Sequence, residues 1–155
     1  MCVMDRFISC ASVRSAYDGY EYYTEGRVVS VEHKGGGVYS GVVRGSGDAV
    51  YDVTINIKRP RSGSCTCPHA AGRRIICKHM AALYFAALPE RAGQYITEVE
   101  ENEAEAEAYQ EELMRRVESC VRGMNKAELQ TALLRLLFEG PEWQYERFAR
   151  EYAGE

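Results

Sequence analysis

With 155 residues, a formal net charge of −4 and a sequence pI near 5.5, the chain fits one domain, or a small domain with an appendage. No stretch approaches the roughly 18–20 apolar residues of a membrane span, and the N-terminus MCVMDRFISCASVR, with Asp5 and Arg6 early, lacks the apolar run of a secretory signal. Charge is divided unevenly: Met1 to His79 hold 11 Lys and Arg against 7 Asp and Glu, Met80 to Glu155 hold 8 against 16, and a locally basic segment therefore sits in an acidic chain.

In chain order, SVRSAYDGYEYYTEG reads as a short tyrosine-rich helix ending near Gly26. Arg27 to Ile57 reads as a β-meander. GRVVSVEHK alternates so that Val29 and Val31 share one face and Val28, Ser30 and Glu32 the other, and turns at Gly35–Gly37 and GSGD separate it from VYSGVVR and AVYDVTINI. Three antiparallel strands with one apolar face need a cover. KHMAALYFAAL supplies it, with Met80, Leu83, Tyr84 and Ala87 at helical spacing, and Pro89 stops that helix. The expectation is an α+β fold with a three-stranded sheet and a helix.

Beyond Gly93 the pattern becomes all helix, about three segments, which places a domain boundary between residues 1–93 and an acidic helical tail, 94–155. TEVEENEAEAEAYQEELMRRVESCV opens on glutamates, where the helix dipole favours them, and Val99, Ala106 and Leu113 recur at sevens, the spacing of a helix seam. Asn125 and Glu128 form an N-cap pair, Gly140 stands where a C-cap glycine belongs, and Pro141 opens a last helix. Leu129, Leu133, Leu136 and Leu137 need an apolar partner, most simply Trp143, Phe148 and Tyr152.

The motif that carries chemistry is CTCPHAAGRRIICKH, where Cys65, Cys67, Cys77 and His79 lie within fifteen residues as Cys-x-Cys and Cys-x-His. Three thiolates and one imidazole complete a tetrahedral zinc site with no position for water or substrate, which is the pattern of one structural Zn²⁺ rather than a catalytic ion. Residues i and i+2 of an extended segment point the same way, so Cys65 and Cys67 bind from a strand end. Cys77 and His79 sit where a helix starts, and an irregular first turn must aim both inward. In the reducing cytoplasm expected here, clustered cysteines favour metal over disulfide. His69 competes for the fourth place, but the paired spacing that accounts for both strand and helix ends favours His79. His33 reads as a solvated strand residue, and Cys2, Cys10 and Cys120 have no assignable role.

The succession of a YEYY helix, GRVVSV, a glycine-rich meander, CTC, nine residues, CKH and an AALYFAAL helix resembles the SWIM-type zinc finger, over roughly Ser15 to Leu88. Cys65, Cys67, Cys77 and His79 match that family's Cys-x-Cys, spacer, Cys-x-His pattern one for one. The segment NKAELQTALLRLLFEGPE is similar to the helical stretch that follows the finger in small prokaryotic members, whereas the acidic helix before it has no counterpart. The resemblance implies binding of DNA or proteins, and one branch of the family partners RecA-like recombinase paralogues.

Two functional expectations follow. Lys58, Arg59, Arg61, Arg73, Arg74 and Lys78 bracket the ligands, and a basic surface of this kind tracks the phosphates of DNA or RNA; the plain alternative is that these charges only balance a metal site of formal charge −1. Tyr17, Tyr20, Tyr22 and Tyr23 read as packing residues rather than base-stacking ones. The acidic helix, the Leu129–Phe138 segment and Trp143 instead suit a protein partner or a second copy of the chain, making the protein an adaptor or accessory subunit. An enzyme is not expected. The glycine turns lack a phosphate-loop lysine and hydroxyl, and no nucleophile or Cys-x-x-Cys motif is present.

Overall fold

The computed structural model describes residues 6–154, so Cys2 lies outside the described residues. The chain divides into two compact units, Met1–Asn102 and Glu103–Glu155.

In the first unit a 3₁₀ turn at Ile8–Cys10 leads into α1, Val13–Thr24. The side chain of Ser12 accepts from the Ser15 amide at its N-terminus. Its C-terminus closes with paired bonds from the amides of Gly26 and Arg27 to the carbonyls of Tyr23 and Tyr22, with Gly26 at φ +68°. An antiparallel sheet follows in the order β1 (Val28–Gly35), β2 (Val38–Arg44), β3 (Val50–Asn56), β4 (Ser64–Cys65). Gly35, Gly36 and Gly37, all at positive φ, make the β1–β2 turn, a conformation that side-chain-bearing residues adopt only with strain.

The sheet thus has four strands, not the three expected. The extra strand, β4, is two residues long and pairs Cys65 with Val53 and Ser64 with Thr54. A two-residue strand carries no alternation that a sequence can display. The face assignment in β1 also differs. Val28 opposes Val43 but Ser30 opposes Val42, so one extra residue is accommodated at Val29. That bulge shifts the parity. By register Val31, opposite Gly41, falls on the same side of the sheet as Val28, although Val31 and Val29 are both exposed.

The core lies between the sheet and α2, Lys78–Ala87, with α1 on the other side of α2. Residues 79–85 are all buried, more than the single face that the spacing of Met80, Leu83 and Tyr84 calls for. A helix packed on two sides has to be apolar all round, and MAALYF is. Gly41 lets Leu83 approach, since a Cβ there would lie 2.7 Å from Leu83 Cδ1. Phe7 stacks on Tyr84 with ring centroids 4.8 Å apart. Tyr20 packs edge-on to Phe85, Tyr22 is buried and Tyr23 is half-buried, whereas Tyr17 stays exposed.

Helix α3 runs Pro89–Gly123, with the unit boundary falling inside it, so Pro89 both follows α2 and opens the next helix, where its missing amide costs nothing. The second unit continues with α4, Lys126–Glu139, and α5, Glu142–Phe148, which passes into a π turn at Ala149–Ala153. Asn125 and Glu128 form the expected reciprocal cap. Gly140 caps α4 at φ −82°, and its role is space: a Cβ would lie 2.4 Å from the Leu136 carbonyl oxygen. No helix among the described residues is long and apolar enough to cross a membrane.

Candidate metal centre

Three local structures deliver the four ligands. Cys65 ends β4 and is held in register by Val53. Thr66 is fastened to β3 twice: its amide donates to the Asp52 carbonyl at 3.1 Å, and its hydroxyl oxygen accepts from the Asp52 amide at 3.0 Å. This fixes the backbone between the two cysteines, so Cys65 and Cys67 present their sulfurs together. The Cys67 carbonyl then accepts from the amides of Ala70 and Ala71, turning the chain, and Gly72 at φ +71° completes the reversal. Cys77 is the N-cap of α2 with extended backbone (φ −90°, ψ 168°), and His79 lies in the first turn. The change from extended to helical between them is the irregular start that Cys-x-His requires.

Cys65, Cys67, Cys77 and His79 are all buried, and their ligand atoms lie within 4.8 Å of one another. His79 Nδ1 stands 3.9 Å from both the Cys65 and Cys77 sulfurs. A tetrahedron with Zn–S of about 2.3 Å and Zn–N of about 2.0 Å has edges of roughly 3.5–3.8 Å. The donor set and its spacing therefore fit zinc. Nδ1 is the nitrogen turned to the sulfurs; Nε2 is buried without a hydrogen-bond partner among the described residues. The imidazole is held instead by rings, with Tyr51 at 4.6 Å and Tyr22 at 5.5 Å between centroids. The four residues are the ligand set of a single structural zinc. Bound there, the ion ties β4, the following loop and α2 to one point.

Without metal the thiols share protons unequally. Hydrogen bonding with Cys65 is the main force lowering Cys77, to about 4, against the opposing effect of burial. The same hydrogen bond, reinforced by burial, pushes the Cys65 thiol well up.

His69, the competing ligand, is exposed and lies outside the cluster; it lines a cleft of about 360 Å³ beside Cys67, Cys77 and His79. His33 is exposed and stacks on Tyr39, 4.6 Å between centroids.

The six basic residues singled out in the sequence do not form one surface. Lys58, Arg59, Arg61 and Arg74 line a cleft of about 770 Å³, joined by Arg6 and the exposed Cys10. Arg73 is exposed outside its lining. Lys78 turns to the zinc side, its Nζ lying 4.4 Å above the Tyr22 ring, while Arg27 Cζ lies 4.5 Å from the same ring. Burial raises the Tyr22 phenol, but bonding to Lys78 and Ser46 and the charges of Lys78 and Arg27 outweigh it, for a net lowering. Tyr22, Tyr51 and Arg27 around the site, and Arg6 in the cleft, were not legible as site residues. They come from β3, α1, the connection before β1 and the N-terminal segment, with no shared motif.

No curated protein and no solved structure matches the chain significantly. Residues 51–88, from β3 through the ligand loop to the end of α2, match the family model described as SWIM zinc finger, and with the four buried ligands in place the chain carries a SWIM zinc finger.

Proposed function

We propose that the protein is a non-catalytic recognition module in which zinc maintains the fold and the neighbouring basic cleft binds nucleic-acid phosphates. The observation that carries this reading is the convergence of Arg6, Lys58, Arg59, Arg61 and Arg74 from three separate segments on one cleft. None of the five has an ion-pair partner among the described residues. Uncompensated guanidinium groups in a concave surface are the electrostatic footprint of a polyanion site. Four protein donors leave zinc no open position, which supports a structural rather than a catalytic ion. The test is fluorescence anisotropy of labelled single- and double-stranded DNA with zinc-loaded protein across a salt series. Saturable binding whose affinity falls linearly in log–log form with salt, and is lost in Arg59→Glu/Arg61→Glu, supports the reading. Absence of binding at low salt refutes it.

A second reading, protein recognition through the helical tail, rests on its own observation. Among the described residues of the second unit none is buried, and Leu136, Phe138, Trp143 and Tyr152 are 67 %, 70 %, 58 % and 72 % exposed. So much uncovered apolar surface is unusual for a monomer and marks an interaction site. In this reading the protein is an adaptor or accessory subunit of a DNA-processing enzyme, a RecA-like recombinase being the instance suggested by the family resemblance. Affinity capture with the full chain, against a Leu133→Glu/Leu136→Glu control, tests it: loss of a stoichiometric partner in the control supports the reading, and equal capture by both refutes it.

A further inference from the structure

We infer that the chain pairs with a second copy of itself through antiparallel contact of two α3 helices. This deepens the protein-recognition reading of the tail by naming its partner. Two features of α3 inside the second unit carry the inference.

The first is the apolar stripe. Ala106, Tyr109, Leu113, Val117, Cys120 and Val121 recur at helical spacing. Leu113, Val117 and Cys120 line one groove of about 550 Å³, so this face is continuous. Tyr109, Leu113 and Val117 are 65 %, 38 % and 55 % exposed. The stripe is nearly palindromic about position 115: Leu113 mirrors Val117 and Tyr109 mirrors Val121, the exception being Cys120, which mirrors Gln110. A self-mirroring stripe satisfies the isologous rule of a two-fold interface, in which i meets j and j meets i.

The second is charge. From Glu103 to Glu112 the helix holds five glutamates and no lysine or arginine, whereas Arg115 to Arg122 hold three arginines and one glutamate. Parallel pairing sets like against like. Antiparallel pairing about position 115 sets the acidic half of each copy beside the basic half of the other, and like-charge juxtaposition disfavours the alternative. Arg115 and Arg122 already bond to glutamates of their own helix, but these exposed pairs contribute little and are free to extend across an interface.

The test is light scattering and sedimentation equilibrium on zinc-loaded full-length protein, with wild type and Leu113→Glu/Val117→Glu compared. The expected result is a mass twice the 17.5 kDa of the chain for wild type and one chain mass for the variant, with zinc content and helicity unchanged. Orientation is read by oxidative cross-linking in a Cys2→Ser/Cys10→Ser background. Antiparallel pairing about 115 brings position 110 opposite Cys120, so Gln110→Cys yields a covalent dimer and its parent does not, the two Cys120 residues lying about 15 Å apart along the axis. A cross-linked parent, or a dimer indifferent to the stripe variant, overturns the inference. A monomeric wild type also overturns it, and dye binding then separates the cases. A monomer that binds an apolar dye leaves the tail as a surface for another protein, whereas one that does not fails both readings.

Discussion

Gly19 of α1 and Ala81 of α2 meet where the two helices cross: a Cβ added at Gly19 would lie 2.4 Å from the Ala81 Cβ and 2.8 Å from the Lys78 carbonyl oxygen. One obstacle is backbone at the start of the very helix that presents Cys77 and His79, so the crash has no flexible side chain to absorb it. Gly19→Ala is expected to destabilise the fold by about 1–3 kcal/mol through overpacking, despite the better helix propensity of alanine. Thermal unfolding of the zinc-loaded variant checks this; a melting temperature at or above wild type refutes the close approach.

The ligand assignment is separable residue by residue. Cys77→Ser and His79→Ala are expected to lose stoichiometric zinc, while His69→Ala keeps it, because His69 is exposed and outside the cluster. Metal analysis after dialysis decides the matter, and full zinc in Cys77→Ser contradicts the site. Since structural zinc contributes on the order of 10 kcal/mol to folding in small modules, chelation should lower the unfolding midpoint sharply as well.

Protonation gives a third test. Cys77 is held at about 4, so at neutral pH it is already a thiolate, while Cys65 retains its proton. Zinc binding at pH 7 should therefore release fewer than three protons, measured by calorimetry in buffers of different ionisation enthalpy. The linkage sign follows from the depressed Cys77. Against an unfolded value of about 8.5, its contribution to apo stability is full above that pH and is lost as pH falls through about 4. The raised Cys65 acts in the opposite sense but only above about 8.5, where the unfolded thiol ionises, so of this pair Cys77 alone acts around neutrality and apo stability should rise with pH there. Release of three protons refutes the thiolate assignment.

The pair of cations on Tyr22 predicts coupling rather than simple loss. Lys78 and Arg27 both lie within 4.5 Å of its ring centroid, and exposed cation–π contacts are worth about 0.5–1 kcal/mol each. Tyr22→Leu should lower stability, and a double-mutant cycle with Lys78→Met should return a coupling energy of that order. Additive single effects refute the contact.

Most of the fold and the ligand set were legible in the sequence because each rests on local chemistry. The three long strands alternate between glycine turns, α2 is apolar at helical spacing, Asn125 and Glu128 sit at cap spacing, and the four ligands fall in two tight pairs. What escaped depends on long-range pairing. β4 exists only because Val53 and Thr54 offer it partners, and the bulge at Val29 inverts faces that strict alternation assigns to Val29 and Val31. The basic residues were recognisable one by one, but their separation into a cleft around Arg59 and a ring contact at Lys78 is set by tertiary structure. The tail helices announce their caps and not their neighbours, since a leucine stripe does not say what covers it.

The shortness of β4 has a consequence for solubility. Only Ser64 and Cys65 pair with the outer side of β3 as a strand, with Thr66 adding two bonds to Asp52, and Cys65 is a metal ligand. The far edge of the sheet is blunted by the β1 bulge and the Glu32–Lys34 ion pair, but Val50–Asn56 has no such device of its own. Loss of zinc is expected to loosen β4 and leave more of that β-branched strand's amides and carbonyls open, the template on which chains add to one another. Chelated protein is therefore expected to scatter more light on standing than the zinc-loaded form, and equal scattering from both refutes a role for the ion in guarding this edge.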